Sequence, residues 1–295
     1  MSIIRKDKKE WEKDILGARP AAKEQEECPL TLLANKYKTD KGTNRGANNG
    51  YTYTYEYYFN NFKDKKIKFL EIGLNNGGPE HGSNKIDRKI EDYPSIRMWH
   101  EYFSKGEIWG FDVNELKDPI DKSLNRFHFF QGDQGSEDSL KDFNDTVNKK
   151  YGNNVQFDII IDDGSHAFYH QQLSFTRLSG LVKPGGYYVI EDIHWQPDKR
   201  RLVKGKLAKG EKPVYDSGQL PRTVNTKFLI KQIVGDPKKN NPGAPNSIFN
   251  KFKKLRPEFA DDFINNMKNF IWEDPNPSGK CPRPQRLIIL QRSKE

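Results

Sequence analysis

The sequence predicts an α/β fold: a mostly parallel sheet with helices on both faces. Three observations predict it. Short apolar runs recur through the middle of the chain (KFLEIG, EIWGFDV, FDIIID, YYVIED), continuous rather than alternating, as strands buried on both sides must be. Stretches with apolar residues at helical spacing separate them, and strand–helix alternation implies parallel pairing. Acidic residues stand at the ends of run after run, where open α/β sheets place their ligands.

The elements follow in order. Residues 1–60 read as an N-terminal helical and loop cap. KKEWEKDILGAR and CPLTLLANKY are short helices, with Pro20 and Pro29 as breaks. TDKGTNRGANNG is loop, and the tyrosine-rich YTYTYEYYF is compatible with a helix. Residues 61–295 form the main domain. IKFLEIG is a strand running into the glycine-rich turn LNNGG, and SIRMWHEYF is a helix. EIWGFDV is a strand ending in Asp112, and FHFFQGDQ one ending near Asp133. SLKDFNDTVNKKYG is a helix, FDIIIDDGSH a strand, HQQLSFTRLSGLVKPGG a helix closed by a Pro-Gly-Gly turn, and YYVIED a fifth strand. Residues 195–247, rich in Lys, Pro, Gly and Asn, read as a lid-like insertion with one short helix at TKFLIKQIV. Residues 248–270 look helical, and FIWEDPNP…PQRLIILQRS gives two last strands joined by a proline-rich loop.

Composition narrows the function classes. Hydrophobic residues make up 34% of the 295, in bursts that argue for a folded core. There is no apolar run of membrane-spanning length, and the start MSIIRKDKKEWEKD is too charged for a secretory signal. Cys28 and Cys281 allow at most one disulfide, so a reducing cytoplasm is the expected address. The net charge of +9 fits a solvated lysine-rich surface; an anionic substrate or nucleic acid would also fit, but no nucleic-acid-binding motif is present.

The strand ends carry the chemistry. The first ends in Glu71-Ile72-Gly73, followed by Asn75, Asn76, Gly77 and Gly78, where glycines let a ligand approach the backbone. This is not the GxGxxG dinucleotide fingerprint. With Asp112 ending the second strand, it suits a nucleoside whose ribose hydroxyls the acid accepts; a turn acid is the alternative. IIIDDGSH and YYVIEDIHW then bring Asp162, Asp163, His166, Glu191, Asp192 and His194 to neighbouring strand ends. Asp163, Glu191 and Asp192 would repel one another unless protonated or bridged by a cation. All-oxygen ligands suit a hard divalent ion, Mg²⁺ or Ca²⁺. His166 beside it suits a general base. The alternative is an N-capping turn with solvated acids.

These residues carry a resemblance. LANKYKTDKG, KFLEIGLNNGG, SIRMWHEYFSKGEIWGFDV, FFQGDQ, FDIIIDDGSHAFYHQQLSF and LVKPGGYYVIEDIHW, spanning roughly Leu33 to Trp195, resemble the metal-dependent, S-adenosylmethionine-dependent sugar O-methyltransferases of the mycinamicin type. They also resemble the cephalosporin hydroxylase-like and rhamnosyl O-methyltransferase relatives. The resemblance implies a Rossmann-like class I methyltransferase fold. It implies that Glu71, Gly73 and Asn75 line the methionine side of the cofactor, with Asp162 nearby. Asp112 holds the ribose, and Asp133 and Gln134 sit near the adenine. Thr39 and Lys41 of KTDKG, with the tyrosines that follow, close over the cofactor. Asp163, Glu191 and Asp192 match the Mg²⁺ ligands, and His166 the base, with Asp163 sharing the catalytic role. His194 has no role to carry over, and His170 reads as structural. The turn after Gly73 is longer than in the commoner family forms, and the resemblance fades after Trp195. The implied acceptor is a sugar hydroxyl of a natural product or polysaccharide precursor, with a non-sugar polyketide hydroxyl as the alternative. No nucleic acid or membrane partner is implied, and a homo-oligomer stays open. Rival readings are a non-catalytic cofactor-binding protein and an iron-dependent hydroxylase, which would need two histidines and a carboxylate as ligands.

Overall fold

The computed structural model describes residues 27–44, 49–74, 93–116, 122–193, 225–234 and 248–294. The strands are β1 (Lys68–Ile72), β2 (Glu107–Asp112), β3 (Phe127–Gln131), β4 (Phe157–Asp162), β5 (Val182–Ile190), β6 (Phe270–Glu273) and β7 (Ile288–Arg292). They form one sheet in the order β3-β2-β1-β4-β5-β7-β6. Strands β1 to β5 pair in parallel. β7 runs antiparallel to both β5 and β6. The order reverses between β1 and β4, which opens a crevice beyond their carboxyl ends.

The helices are α1 (Pro29–Tyr37), α2 (Tyr51–Phe59), α3 (Pro94–Tyr102), α4 (Glu137–Tyr151), α5 (Phe168–Leu178), α6 (Thr226–Val234), α7 (Ile248–Leu255) and α8 (Ala260–Met267). They divide between the two faces of the sheet, and strand alternation decides which residue meets which layer. Leu70, Ile72, Ile160, Tyr188 and Ile190 pack with residues of α4 to α8. Phe69, Ile159, Ile161, Tyr187 and Val189 pack with residues of α1 to α3. On the second face Trp99 is fully buried against Phe69, with ring centroids 4.8 Å apart. The tyrosine-rich stretch is a helix because docking on this aromatic layer buries Tyr51, Tyr55 and Phe59; burial overrides the poor helix propensity of aromatic and β-branched residues.

The fold class matches the expectation, and two elements differ from it. The Pro-Gly-Gly turn does not close α5. It lies inside β5, where residues 183–186 bulge opposite Asp158 and the pairing jumps from Phe157↔Val182 to Ile159↔Tyr187. A bulge accommodates Pro184, which has no N–H to give to the ladder. Gly185 adopts φ +78°, open to glycine at little cost. The helical stretch 248–270 is two helices, because Pro257, two residues beyond the end of α7, cannot extend it. The expected TKFLIKQIV helix is α6. It is docked on the sheet's helical layer, with Leu229 and Ile230 fully buried. The KKEWEKDILGAR helix, the LNNGG turn and the rest of the insertion lie outside the described residues. Among the described residues no helix is long and apolar enough to cross a membrane.

Candidate active site

The crevice at the reversal point is built by the ends of β1, β2, β4 and β5. Gly73 makes the closest crossing. At φ +82° it passes so near β4 that a Cβ would stand 2.3 Å from the Asp163 carbonyl oxygen. Its N–H bonds Phe111 O at 2.8 Å, and Asp163 N–H bonds Ile72 O at 2.9 Å, which locks the three strand ends together. Gly73 is thus required by the strands themselves, whatever lies beyond them.

Alternation then gives the neighbouring acids Asp162 and Asp163 different tasks. Asp162 turns toward α5 and is almost fully buried. Its oxygens accept from Gln134 Nε2 and Ser174 Oγ, each at 2.6 Å. Gln134 also gives a hydrogen to Ser174 and takes one from Ser165 N–H at 3.0 Å. The side chains of Asp162 and Gln134, expected at the cofactor, are therefore committed to bracing the DDGSH turn. Ser165 extends the brace through a 2.7 Å bond to His170 Nδ1. Burial lowers His170 to about 4, so it stays neutral.

Asp163 turns the other way, toward Lys41. The Lys41 ammonium lies 2.5 Å from Asp163 Oδ2, 2.9 Å from Glu191 Oε1 and 3.4 Å from Glu71 Oε1. All three side chains of Lys41, Glu71 and Glu191 are at most 2% exposed. Burial alone would push the lysine down; Asp163, Glu191 and Glu71 together hold it well above its ordinary value. Burial pushes Asp163 up to about 7, against the pull of Lys41. Burial and the charge of Asp163 push Glu191 well up. The cation expected among converging carboxylates is thus, in part, an amino group of the chain itself.

The outer half of the cluster is different. Asp163, His166 and Asp192 each direct one ligand atom into a space where all lie within 4.8 Å of one another. His166 Nε2 is 3.8 Å from Asp192 Oδ2. Both residues are left-handed, at φ +63° and +51°. Such strain persists only where surroundings enforce it. For Asp192 one enforcing group is Tyr51, whose hydroxyl donates to Oδ1 at 2.5 Å. Glu191 does not join this set, because Tyr55 and Lys41 engage its carboxylate.

Asp112 stands at the end of β2 as expected. Its Oδ2 accepts from Leu74 N–H and its Oδ1 from Asn114 N–H, both at 2.8 Å. Oδ1 also accepts from Asn114 Nδ2 at 3.1 Å, which fixes the carboxylate and leaves Oδ2 the free lone pair. Asp133 is exposed and accepts from Gly135 N–H, an ordinary turn. Thr39 is buried, and among the described residues its hydroxyl makes long contacts, 3.4 Å to Asp40 and to Lys41 N–H. Asn75 and His194 lie outside the described residues. The donor set fits the groups the sequence suggests: hard oxygens and an imidazole for a divalent cation, and a pre-oriented acid two strands away for a ribose. Tyr51 and Tyr55, among the tyrosines the resemblance sets over the cofactor, have their hydroxyls on Asp192 and Glu191, contacts the sequence did not assign. Their spacing of four in YTYTYEYYF, one helical turn, was the available signal.

The strand order, with its antiparallel β7, defines a class I methyltransferase fold. No protein-family profile matches the chain. It is similar to mycinamicin VI 2''-O-methyltransferase of Micromonospora griseorubida, 36% identical over 167 residues, which is 56% of this chain and 36% of that protein. It is similar to demethylmacrocin O-methyltransferase of Streptomyces fradiae, 34% identical over the same shares. A Streptomyces olivaceus enzyme, 8-demethyl-8-(2-methoxy-alpha-L-rhamnosyl)-tetracenomycin-C 3'-O-methyltransferase, is 35% identical over 167 residues. The chain therefore spans little more than a third of the length of the curated relatives it matches. Among solved structures, the MycE methyltransferase of the mycinamycin pathway, in complex with Mg and SAH, superposes with a TM-score of 0.53 at 22% identity, over 91% of this chain and 55% of that one.

Proposed function

We propose that the chain is an S-adenosylmethionine-dependent, divalent-metal-dependent O-methyltransferase whose acceptor is a sugar hydroxyl. The observation that carries the reading is the Asp163, His166 and Asp192 cluster at the reversal point of the sheet, two strands from the fixed carboxylate of Asp112. Support comes also from the relatives, whose names are those of O-methyltransferases, one of them acting on a rhamnosyl compound. When bound, S-adenosylmethionine would supply the methyl group, and a hard divalent cation would lower the pKa of the acceptor hydroxyl.

The chain's own residues would act as follows. Asp163 and Asp192 hold the cation, and Asp112 takes the ribose hydroxyls. His166 takes the acceptor's proton. The mostly buried walls exclude water and fix the direction of approach, which supplies much of the rate gain. The relatives' names, which are those of enzymes acting on small glycosides, support a small-molecule acceptor. The two cysteines are free thiols, which suits a cytoplasmic address.

The test is methyl transfer from labelled S-adenosylmethionine to a panel of deoxysugar and rhamnosyl glycosides with Mg²⁺. Label should appear in a sugar ether, disappear in EDTA and return with Mg²⁺. His166→Ala should cut turnover at least about a hundredfold with Mg²⁺ affinity retained. Loss of Mg²⁺ affinity in that variant would make His166 a ligand instead of the base. Full activity in EDTA would end the metal reading.

A further inference from the structure

The buried ammonium of Lys41 stands where a site built for a metal alone would need no side-chain cation. We propose that Lys41 is a resident counter-ion that divides the carboxylate cluster in two: an inner part closed by the lysine, and an outer part open to a divalent cation. The proposal deepens the metal-dependent reading above and rests on it for its second half.

Three observations carry it. Lys41 is 1% exposed and within 3.4 Å of carboxylates from three separate strand ends, Glu71, Asp163 and Glu191. The buried Glu71 carboxylate has only Ser95 and Trp99 nearby as neutral donors among the described residues, and the lysine's charge is the largest compensation it receives. The lysine is also held in place by its backbone: its carbonyl accepts from Thr52 N–H at 3.3 Å at the start of α2, the helix that supplies Tyr51 and Tyr55 to the same acids. One ammonium facing three carboxylates leaves a deficit of positive charge. Asp163 is shared, with Oδ2 on the lysine and the side chain also reaching the outer set with His166 and Asp192. The lysine therefore preserves the fold when no metal is present and weakens cation binding at the outer part by like-charge repulsion.

The experiment is a double-mutant cycle read without and with Mg²⁺. In EDTA, Lys41→Met should lower the Tm by roughly 10 °C, as expected for breaking a buried ion cluster. Glu191→Gln added to it should recover at least half of that loss, because it removes one of the uncompensated charges while keeping an acceptor for Tyr55. By calorimetric titration of MgCl₂, Lys41→Met should bind at least about tenfold more tightly than wild type. A Lys41→Met variant with the wild-type Tm and Mg²⁺ affinity would overturn the proposal. So would a double variant no more stable than the single one. If Lys41→Met does not fold in EDTA, recovery of folding in the double variant supports the proposal and continued failure overturns it. A wild type that binds no Mg²⁺, with the Tm cycle as expected, would remove the metal reading and leave the lysine's structural part standing.

Discussion

Asp162 and Asp163 differ by one position and by everything that follows from it. Successive strand residues face opposite sides of a sheet, so the first acid meets Ser174 on α5 and the second meets Lys41. The sequence marks both as acids at a strand end. It does not say which face lies toward the crevice, because β4 is apolar on both sides and gives no register cue. His170 shows the same economy: it serves the brace and not the chemistry, as its place on a helix suggested. Its folded pKa of about 4 is below the ordinary 6.5. The unfolded chain then binds a proton first as pH falls, so His170 leaves stability whole above about pH 6.5 and erodes it toward pH 4. The full loss is about 3 kcal/mol. His170→Gln should flatten urea-unfolding stability across that window; an unchanged pH slope would show that another group governs it.

At the scale of elements, α2 links the aromatic layer to the site. Its buried face carries Tyr51 and Tyr55 to Asp192 and Glu191, while Tyr57 is 59% exposed. Tyr55→Phe should cost about 1–3 kcal/mol, the penalty of a buried carboxylate oxygen losing its donor. Tyr57→Phe, on the same helix, should cost nothing measurable. Equal effects in urea unfolding would mean that ring packing alone decides. The parallel strands and most helices were legible because apolar runs and helical spacing announce them. The β5 bulge was not, since Pro-Gly-Gly reads locally as a turn and only pairing with β4 draws it into the sheet. The Lys41 network was illegible for a related reason. The resemblance set Lys41 over the cofactor, and its burial among acids depends on partners up to 150 residues away that no local pattern reveals.

For the whole molecule, charge and architecture pull in different directions. The chain carries a net +9, yet its crevice gathers Glu71, Asp112, Asp163, Glu191 and Asp192 at four strand ends, with Glu71, Asp163 and Glu191 on the Lys41 ammonium. The sheet's reversal of order makes that gathering possible. Such a site holds its carboxylates ionised only with positive charge from elsewhere. The most direct measurement is a titration with Mn²⁺, standing in for Mg²⁺, followed by electron paramagnetic resonance in the presence of S-adenosylhomocysteine. The wild-type chain should immobilise a single Mn²⁺, and Asp192→Asn, which tolerates the left-handed backbone while removing the charge, should lose it. A wild type that leaves all Mn²⁺ in solution, or an Asp192→Asn variant that binds as well as wild type, would contradict the account.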